Sequence, residues 1–217
     1  MPQLRLLSAS ILLALGLSAC GGGGDSPTAT PETTTPPVSA SAKEGVLVDD
    51  LIVGATIFCD ANDNGALDDG ESSATTDAGG KYVFDKACFA PIVSTAGTGY
   101  DKSTLKAPKG QYKALAGSAV VSPFTTMRAV SGLTDDEFKA VLTKLGLEGV
   151  DVANFDPTNP KNAAYATTAA ALAKILNDIS EIVSAAGGDP ALAFKAAANA
   201  MVTHAKASTG TVFGDAA

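Results

Sequence analysis

The sequence predicts a segregated α+β fold, in which an antiparallel β-sandwich is followed by a small C-terminal α-helical bundle. From residue 44 to residue 121, short β-rich runs alternate with turn residues, which is typical of a small sandwich. From residue 122 to residue 217, the composition becomes Ala-rich and helix boundary signals recur. The length of 217 residues allows one large or two small domains once a processed segment is removed.

Residues 1–19 have the layout of an export signal. A single cation, Arg5, precedes an apolar run from Leu6 to Leu17, and small residues follow directly before Cys20. The run is shorter than the about 20 apolar residues that a membrane-spanning helix needs. We therefore expect a cleaved signal peptide, and an N-terminal anchor helix is the alternative.

The segment from Leu17 to Cys20 resembles the bacterial lipobox, in which the cysteine receives acyl chains such as palmitate and becomes the first mature residue. This resemblance implies a lipid anchor on Cys20 that holds the protein at a membrane without spanning it. By analogy with lipoprotein sorting in Gram-negative cells, Gly21 after the cysteine implies delivery to the outer membrane. The protein would then lie on the cell surface or on the periplasmic face.

Residues 20–43 are predicted to form a linker. After Cys20 they are rich in Gly, Pro, Thr and Ser and contain almost no large apolar side chain, so they cannot bury a core. We expect a plain tether that holds the folded part away from the membrane. O-glycosylation of its threonines is the alternative.

Six β-rich runs are predicted to supply the strands of the sandwich between residues 44 and 121. The pair Gly79-Gly80 predicts a tight turn before the strand KYVF, whose aromatic and β-branched members suit a half-buried strand. The predicted runs are GVLVDD, VGATIFCD, KYVFD, APIVSTAG, STLKAPK and QYKALAGSAVVS.

The segment 60–71 matches the calcium-loop template D-x-[DN]-x-[DN]-G-x5-E at every specified position. Calcium prefers oxygen ligands, which the loop offers at the expected spacing. Gly65 would take the sharp turn, Leu67 would point inward, and Asp63 and Asp69 would face solvent. The alternative is a polar turn without metal. The predicted Ca²⁺ ligands are Asp60, Asn62, Asn64, the Ala66 carbonyl, Asp68 and Glu71.

The sequence on each side of this loop predicts strands and not helices. A calcium sensor works by swinging helices apart, and none flank this loop. We therefore expect a structural site in the weak range given for extracellular modules, about 0.1 to 1 mM.

The loop and its flanks resemble the calcium-binding B repeat of serine-aspartate-repeat adhesins. The resemblance implies a prealbumin-like sandwich over residues 44–121, related to collagen-adhesin B domains. Some of those domains carry an isopeptide bond from a first-strand lysine, but residues 45–59 contain no lysine, so that bond is not expected. The similar segments are Gly54 to Gly65, Leu67-Asp68, Gly70-Glu71, Thr75 to Asp77 and Gly80 to Phe84.

Residues 122–217 are predicted to form four helices joined by short loops. Segments in this region are similar to those that follow such sandwiches in bacterial surface proteins, a similarity that names no activity. The predicted helices are a short one from Pro123 to Val130, one from the capping box Thr134–Glu137 to Gly146, one over Pro160–Ala186, and one from Asp189-Pro190. Their predicted core residues include Tyr165, Leu172, Ile175, Leu176, Ile179, Val183, Leu192, Phe194, Met201 and Val202.

Two cysteines, Cys59 and Cys88, remain once Cys20 is assigned to the lipid. Export favours their pairing in a disulfide, and two buried free thiols are the alternative. The only histidine, His204, is expected on the surface near a helix end. A single histidine and the lack of a cysteine cluster exclude zinc sites of the usual kinds.

The sequence predicts a non-catalytic protein. It carries no nucleophile elbow or phosphate loop, and Asp135 and Glu137 are better explained as the first turn of a helix than as a catalytic pair. The net charge of −8 argues against nucleic acid as a partner.

The function predicted from these features is that of a membrane-anchored, calcium-stabilised module in adhesion or cell-surface assembly. Its partners would be the membrane, through the lipid on Cys20, and a protein or polysaccharide at the cell surface. One alternative is a periplasm-facing lipoprotein of envelope assembly. A second alternative is an enzyme of unrecognised type that acts on envelope polymers.

Overall fold

The computed structural model describes residues 41–212. The predicted signal peptide, Cys20 and nearly all of the predicted linker lie outside the described residues. Within them the predicted order is confirmed, because mainly antiparallel sheets come first and helices follow.

Nine strands and four α-helices occur in the described part of the chain. The strands are β1 (Ala42–Leu47), β2 (Ile52–Val53), β3 (Thr56–Cys59), β4 (Ser73–Thr75), β5 (Lys81–Cys88), β6 (Ile92–Ser94), β7 (Tyr100–Asp101), β8 (Lys113–Ala114) and β9 (Val120–Val121). The helices are α1 (Pro123–Ser131), α2 (Asp135–Lys144), α3 (Ala163–Ala185) and α4 (Pro190–Ala207), with a 3-10 turn at Pro160–Asn162 before α3.

The strands form one three-stranded sheet, β5-β1-β9, one four-stranded sheet, β4-β3-β6-β8, and the pair β2-β7. All pairings are antiparallel except β1 with β9, which is parallel. A parallel pair needs a long crossover connection, and the whole of β2 to β8 supplies it. The expectation of purely antiparallel sheets is therefore wrong for β9, which lies at the edge of the three-stranded sheet and pairs in parallel with β1.

Strand β5 shows how the sequence pattern sets the inward face. Tyr82 and Phe84 are buried, whereas Val83 between them is 61% exposed, as the two-residue period of a strand requires. The tight turn before β5 is confirmed. The Asp77 Oδ1 accepts hydrogen bonds from the backbone N–H groups of Gly79, at 2.8 Å, and Lys81, at 2.9 Å.

Several strand predictions were wrong in detail. The run STLKAPK forms a loop in which Leu105 is 75% exposed, and QYKALAGSAVVS breaks into β8 and β9 at a turn where Ser118 N–H bonds to the Leu115 carbonyl. Strand β4 was not predicted, because its three residues are too few for a visible alternation. Strand β1 begins at Ala42, inside the predicted linker.

Among the described helices, α1, α2 and α4 begin where the sequence predicted, whereas α3 begins at Ala163 and not at Pro160, because residues 160–162 form the 3-10 turn. Ser122 caps α1, and Thr134 and Glu137 form a reciprocal capping box on α2. The Asp189 carboxylate accepts hydrogen bonds from the first turn of α4. Gly146, just after α2, has a φ of +78°, the left-handed conformation expected after a helix end.

Part of the predicted apolar faces is exposed. Ile175 and Ile179 on α3 are 38% and 37% exposed, and Leu192 on α4 is 65% exposed. Leu172 and Leu176 are buried as predicted, and the small residues Ala169 and Ala173 share the buried face of α3 with them. Small side chains allow neighbouring elements to approach closely, so the bulkiest apolar residues need not mark the inward face. The connection from α2 to the 3-10 turn is also long, not short.

One continuous hydrophobic core joins strands and helices in the described part of the chain. The Tyr112 ring, just before β8, packs edge-on against the Phe194 ring of α4, with 5.2 Å between centroids. The Thr126 hydroxyl of α1 accepts a hydrogen bond from the Lys113 N–H of β8 at 2.8 Å. The change from strands to helices at residues 121–123 therefore lies within one packed core.

Candidate functional site

The predicted calcium loop connects β3 to β4, and both of its ends are fixed. Asp60 is fully buried, and its N–H donates to the Pro91 carbonyl at 2.9 Å. The Cys59 N–H donates to the Ser72 carbonyl at 2.9 Å, which closes the base of the loop. The conformation of the loop is therefore set by the sheet on both sides.

The first and last acids of the loop hold it closed. The two carboxylate oxygens of Asp60 accept hydrogen bonds from the N–H groups of Asn64, at 3.0 Å, and Gly65, at 2.9 Å. The Glu71 oxygens accept from Ala61 N–H at 2.7 Å and from Asp68 N–H at 3.0 Å. Glu71 thereby connects the beginning of the loop to its end.

The two asparagines converge on Asp68. Asn62 and Asn64 donate their side-chain amides to the Asp68 Oδ2 at 2.8 and 2.7 Å, and these two bonds lower the pKa of Asp68. The asparagine oxygens accept the N–H groups of Asn64 and Ala66, at 3.1 and 2.7 Å. The tight turn falls at Gly65, whose φ of +77° is the left-handed conformation that glycine adopts readily.

The chemistry of the donors fits a hard cation, because the side-chain ligands predicted for this loop coordinate through oxygen. Most of their carboxylate oxygens accept a single hydrogen bond, which leaves a second lone pair for an ion. In residues 41–212, however, no three Asp, Glu, His or Cys side chains converge closely enough to hold a metal ion by themselves. The asparagine amides would have to turn their oxygens inward to complete the ligand set.

Two details of the loop differ from expectation. Leu67 was expected to point inward but is 43% exposed. Asp63 is exposed, as predicted, but its carboxylate also contacts the Lys113 ammonium. Asp69 is exposed.

Residues far along the chain surround the loop, and sequence analysis missed them. The Gln111 side-chain amide donates to the Gly65 carbonyl at 2.7 Å. The Lys195 ammonium of α4 also reaches Gly65, lying 3.5 Å from where a β-carbon on that residue would be. Burial, and then the charge of Lys113, lower the pKa of Lys195. No local pattern signals these contacts, since they cross 46 positions or more.

The predicted disulfide between Cys59 and Cys88 is present, with 5.6 Å between the Cα atoms. It joins the end of β3 in the four-stranded sheet to the end of β5 in the three-stranded sheet. Because Cys59 directly precedes Asp60, the disulfide also anchors the beginning of the loop.

A second candidate site is a cleft of about 770 Å³ beside α3. Its walls are the turn between β1 and β2, the loop 101–109 and one face of α3. Asp49, from the β1–β2 turn, is half-buried there. Its Oδ2 accepts a hydrogen bond from the Tyr112 hydroxyl at 2.7 Å and another from the Asn177 side-chain amide.

The carboxyl group of Asp49 has a raised pKa, so it binds a proton more tightly than an ordinary Asp does. Burial raises its pKa from 3.8 to about 6, against the opposing effect of the hydrogen bonds from Tyr112 and Asn177. The charges of Asp101 and Asp50 raise it further. Asp49 and Asn177 are 128 positions apart, so no sequence motif could have predicted this pair.

Comparison with protein-family models, with curated proteins and with solved structures finds no match. His204 is exposed near the end of α4, as expected. Within residues 41–212, no helix is both long enough and apolar enough to cross a bilayer.

Proposed function

We propose that the protein is a lipid-anchored envelope module in which Ca²⁺ bound by the loop 60–71 stabilises the β-region, and that it acts non-catalytically in adhesion or cell-surface assembly. The observation that carries the proposal is the closed loop itself. Asp60 and Glu71, at its two ends, each accept two backbone N–H groups. A calcium loop needs this closure, because it brings distant oxygens around one point.

The ligands in this proposal are the side-chain oxygens of the predicted acids and asparagines together with the Ala66 carbonyl. Bound calcium would supply positive charge that offsets the mutual repulsion of the three carboxylates. The protein itself determines the conformation of the loop. Asp60 and Glu71 fix the ends of the loop, and Gly65 makes its turn.

A prealbumin-like sandwich is the fold we propose for the β-region. The proposal is supported by a three-stranded and a four-stranded sheet that share a core and are linked by the disulfide between Cys59 and Cys88. The inter-sheet disulfide and the calcium loop meet at Cys59 and Asp60. They would stabilise the same corner of a small sandwich outside the reducing cytoplasm.

The anchoring part of the proposal rests on the lipobox-like segment that ends at Cys20 and on the polar linker after it. Acyl chains on Cys20 would hold the protein at the outer membrane, and the linker would hold the folded part away from the lipid. A module at the end of a tether is suited to contacting a protein or polysaccharide.

Calorimetric titration of the full chain in detergent with calcium chloride tests the metal proposal. We expect one site per chain, with a dissociation constant of about 0.1 to 1 mM. Glu71→Gln should weaken binding strongly, because it removes a charge and an oxygen ligand. Asp69→Asn is the matched control in the same loop and should bind as the wild type does. Absence of saturable calcium binding by the wild type would contradict the proposal that the loop 60–71 is a calcium site.

Protease treatment of intact and permeabilised cells tests the location. Because the polar linker should be cut wherever protease reaches it, loss of full-length protein in intact cells would favour adhesion or surface assembly. Protection until the cells are permeabilised would instead favour a periplasm-facing role in envelope assembly.

A further inference from the structure

The cleft beside α3 has the size of a small-molecule site. Its volume of about 770 Å³ lies within the roughly 300 to 1,000 Å³ typical of ligand pockets. None of the residues that line it belongs to the calcium loop 60–71. Whatever it binds is therefore a ligand additional to the proposed cation.

The apolar part of the cleft wall is made of small side chains. Ala166, Ala170 and Ala173 lie along α3, and Ala107 and Pro108 lie on the opposite loop. Among the described residues that line the cleft, none is aromatic, so no ring is available to stack on a sugar or a base. These walls suit a slim aliphatic chain.

Most of the positive charge at the cleft is already paired. On one side, Lys106 lies 3.9 Å from Glu181, and along α3 Lys174 lies 2.8 Å from Asp178. Lys109 is the remaining cation of the lining. The lining also includes three further carboxylates, Asp49, Asp50 and Asp101, so the cleft has an excess of negative charge.

The three further carboxylates are not equally available. Asp101 uses its Oδ1 to accept hydrogen bonds from the N–H and hydroxyl of Ser103, at 2.9 and 2.6 Å, and from Thr104 N–H at 2.7 Å. Asp101 therefore stabilises the turn that follows it, and its Oδ1 is already occupied by these hydrogen bonds. Asp49 and Asp50, side by side in the β1–β2 turn, remain to meet a ligand.

The two oxygens of Asp49 differ in their surroundings. The Tyr112 hydroxyl and the Asn177 amide both donate to Oδ2, whereas no hydrogen bond from the described residues reaches Oδ1. The one buried side-chain polar atom without a partner in that part of the chain is the Tyr82 hydroxyl, so Oδ1 is not sealed in the protein. Asp49 lines the cleft with one oxygen, Oδ2, held by two donors and the other, Oδ1, without a hydrogen-bond partner among the described residues.

We propose that this cleft binds a primary ammonium group on an aliphatic chain, with the Asp49 Oδ1 as its acceptor and the small apolar wall of α3 around the chain. The ammonium group belongs either to a free alkyl diamine or to a lysine side chain of a peptide. Both ligands present the same binding group, a charged N–H donor at the end of several methylenes. A charge-assisted hydrogen bond supplies the specificity.

Calorimetric titration of the full chain in detergent, with calcium removed by chelator, tests this assignment. The probes are cadaverine, N-acetyl-lysine N-methylamide and 1-pentanol, which keeps the alkyl chain but lacks the charge. We expect saturable binding of an amine and none of the alcohol. Preference for cadaverine would assign the site to free amines, and preference for the lysine derivative would assign it to peptides. Failure of both amines to bind, or equal binding of the alcohol, would overturn the proposal.

Two variants test whether the amine binds in the cleft. Asp49→Asn should weaken amine binding about tenfold or more, because the charge-assisted bond is lost. Ala170→Leu narrows the apolar wall without touching Asp49 and should also weaken binding, which keeps the test decisive if Asp49→Asn does not fold. Asp136→Asn, at an exposed acid on α2, is the matched control and should bind as the wild type does. Unchanged binding by Asp49→Asn or Ala170→Leu would overturn the assignment.

Discussion

Replacing Asp49 by asparagine should change how the stability of this protein depends on pH. The folded protein holds this carboxyl half-buried beside Tyr112 and Asn177, and burial raises its pKa from 3.8 to about 6. Asparagine has nearly the same shape and does not titrate. The comparison of wild type with Asp49→Asn therefore isolates the proton on one side chain.

The sign of the effect follows from linkage. Because the pKa of Asp49 is higher in the folded state than in the unfolded state, the folded protein binds the proton more tightly. The stability contributed by this proton is fully present below about pH 4 and is lost as the pH rises through about 6. A pKa difference of about two units corresponds to roughly 3 kcal/mol, of which about 2 to 3 kcal/mol is lost between pH 4 and pH 7.

Urea unfolding followed by far-UV circular dichroism, in chelator and at several pH values from 4 to 7, measures this difference. The free energy of unfolding of Asp49→Asn, relative to wild type, should rise by about 2 to 3 kcal/mol across that range. Other acids titrate in both proteins and cancel in the comparison. As a control for the loss of one acid, Asp136→Asn removes a carboxylate whose side chain is 93% exposed, and its profile should differ from wild type less than that of Asp49→Asn does. If the free energy of unfolding of Asp49→Asn followed that of wild type at a constant difference from pH 4 to 7, the raised pKa of Asp49 would be refuted.

Three further perturbations test the fold. Replacing Cys59 and Cys88 by serine should lower the free energy of unfolding by about 2 to 4 kcal/mol, and adding a reductant to the wild type should reproduce the loss in urea melts. Phe194→Ala should cost about 3 to 5 kcal/mol and keep one transition, because α4 shares the core with the strands; two separated transitions by circular dichroism and tyrosine fluorescence would contradict that. Thr134→Ala should lower stability by about 1 kcal/mol, measured in the same way, through loss of the cap shared with Glu137; an unchanged urea midpoint would contradict that role.

The features that the sequence predicted well are those decided by neighbouring residues. The caps at Ser122, Thr134 and Asp189 each act on the next turn of chain, so the helix starts were visible. The hydrogen bonds of the turn before β5 all lie within residues 77–81. The hydrogen bonds by which Asp60 and Glu71 close the loop 60–71 are also local, and calcium binding by this loop stays a prediction.

The features that the sequence did not predict depend on packing between distant segments. Leu192 has the composition of a core residue, but the inward face of α4 is defined by Phe194 and small residues, so Leu192 is exposed. The cleft depends on Asp49 and Asn177, which only the tertiary fold brings together. The approach of Lys195 to the loop 60–71 is of the same kind.

Thermal unfolding of the full chain in detergent, in 10 mM calcium and in excess chelator, tests whether calcium bound by the loop 60–71 stabilises the fold. With a dissociation constant of about 0.1 to 1 mM, linkage predicts about 1.4 to 2.7 kcal/mol of stabilisation, or a rise in Tm of about 4 to 8 °C. Asp69→Asn should keep this rise, and Glu71→Gln should lose most of it. Identical wild-type melting curves in calcium and in chelator would contradict the account of the loop 60–71 as a calcium site.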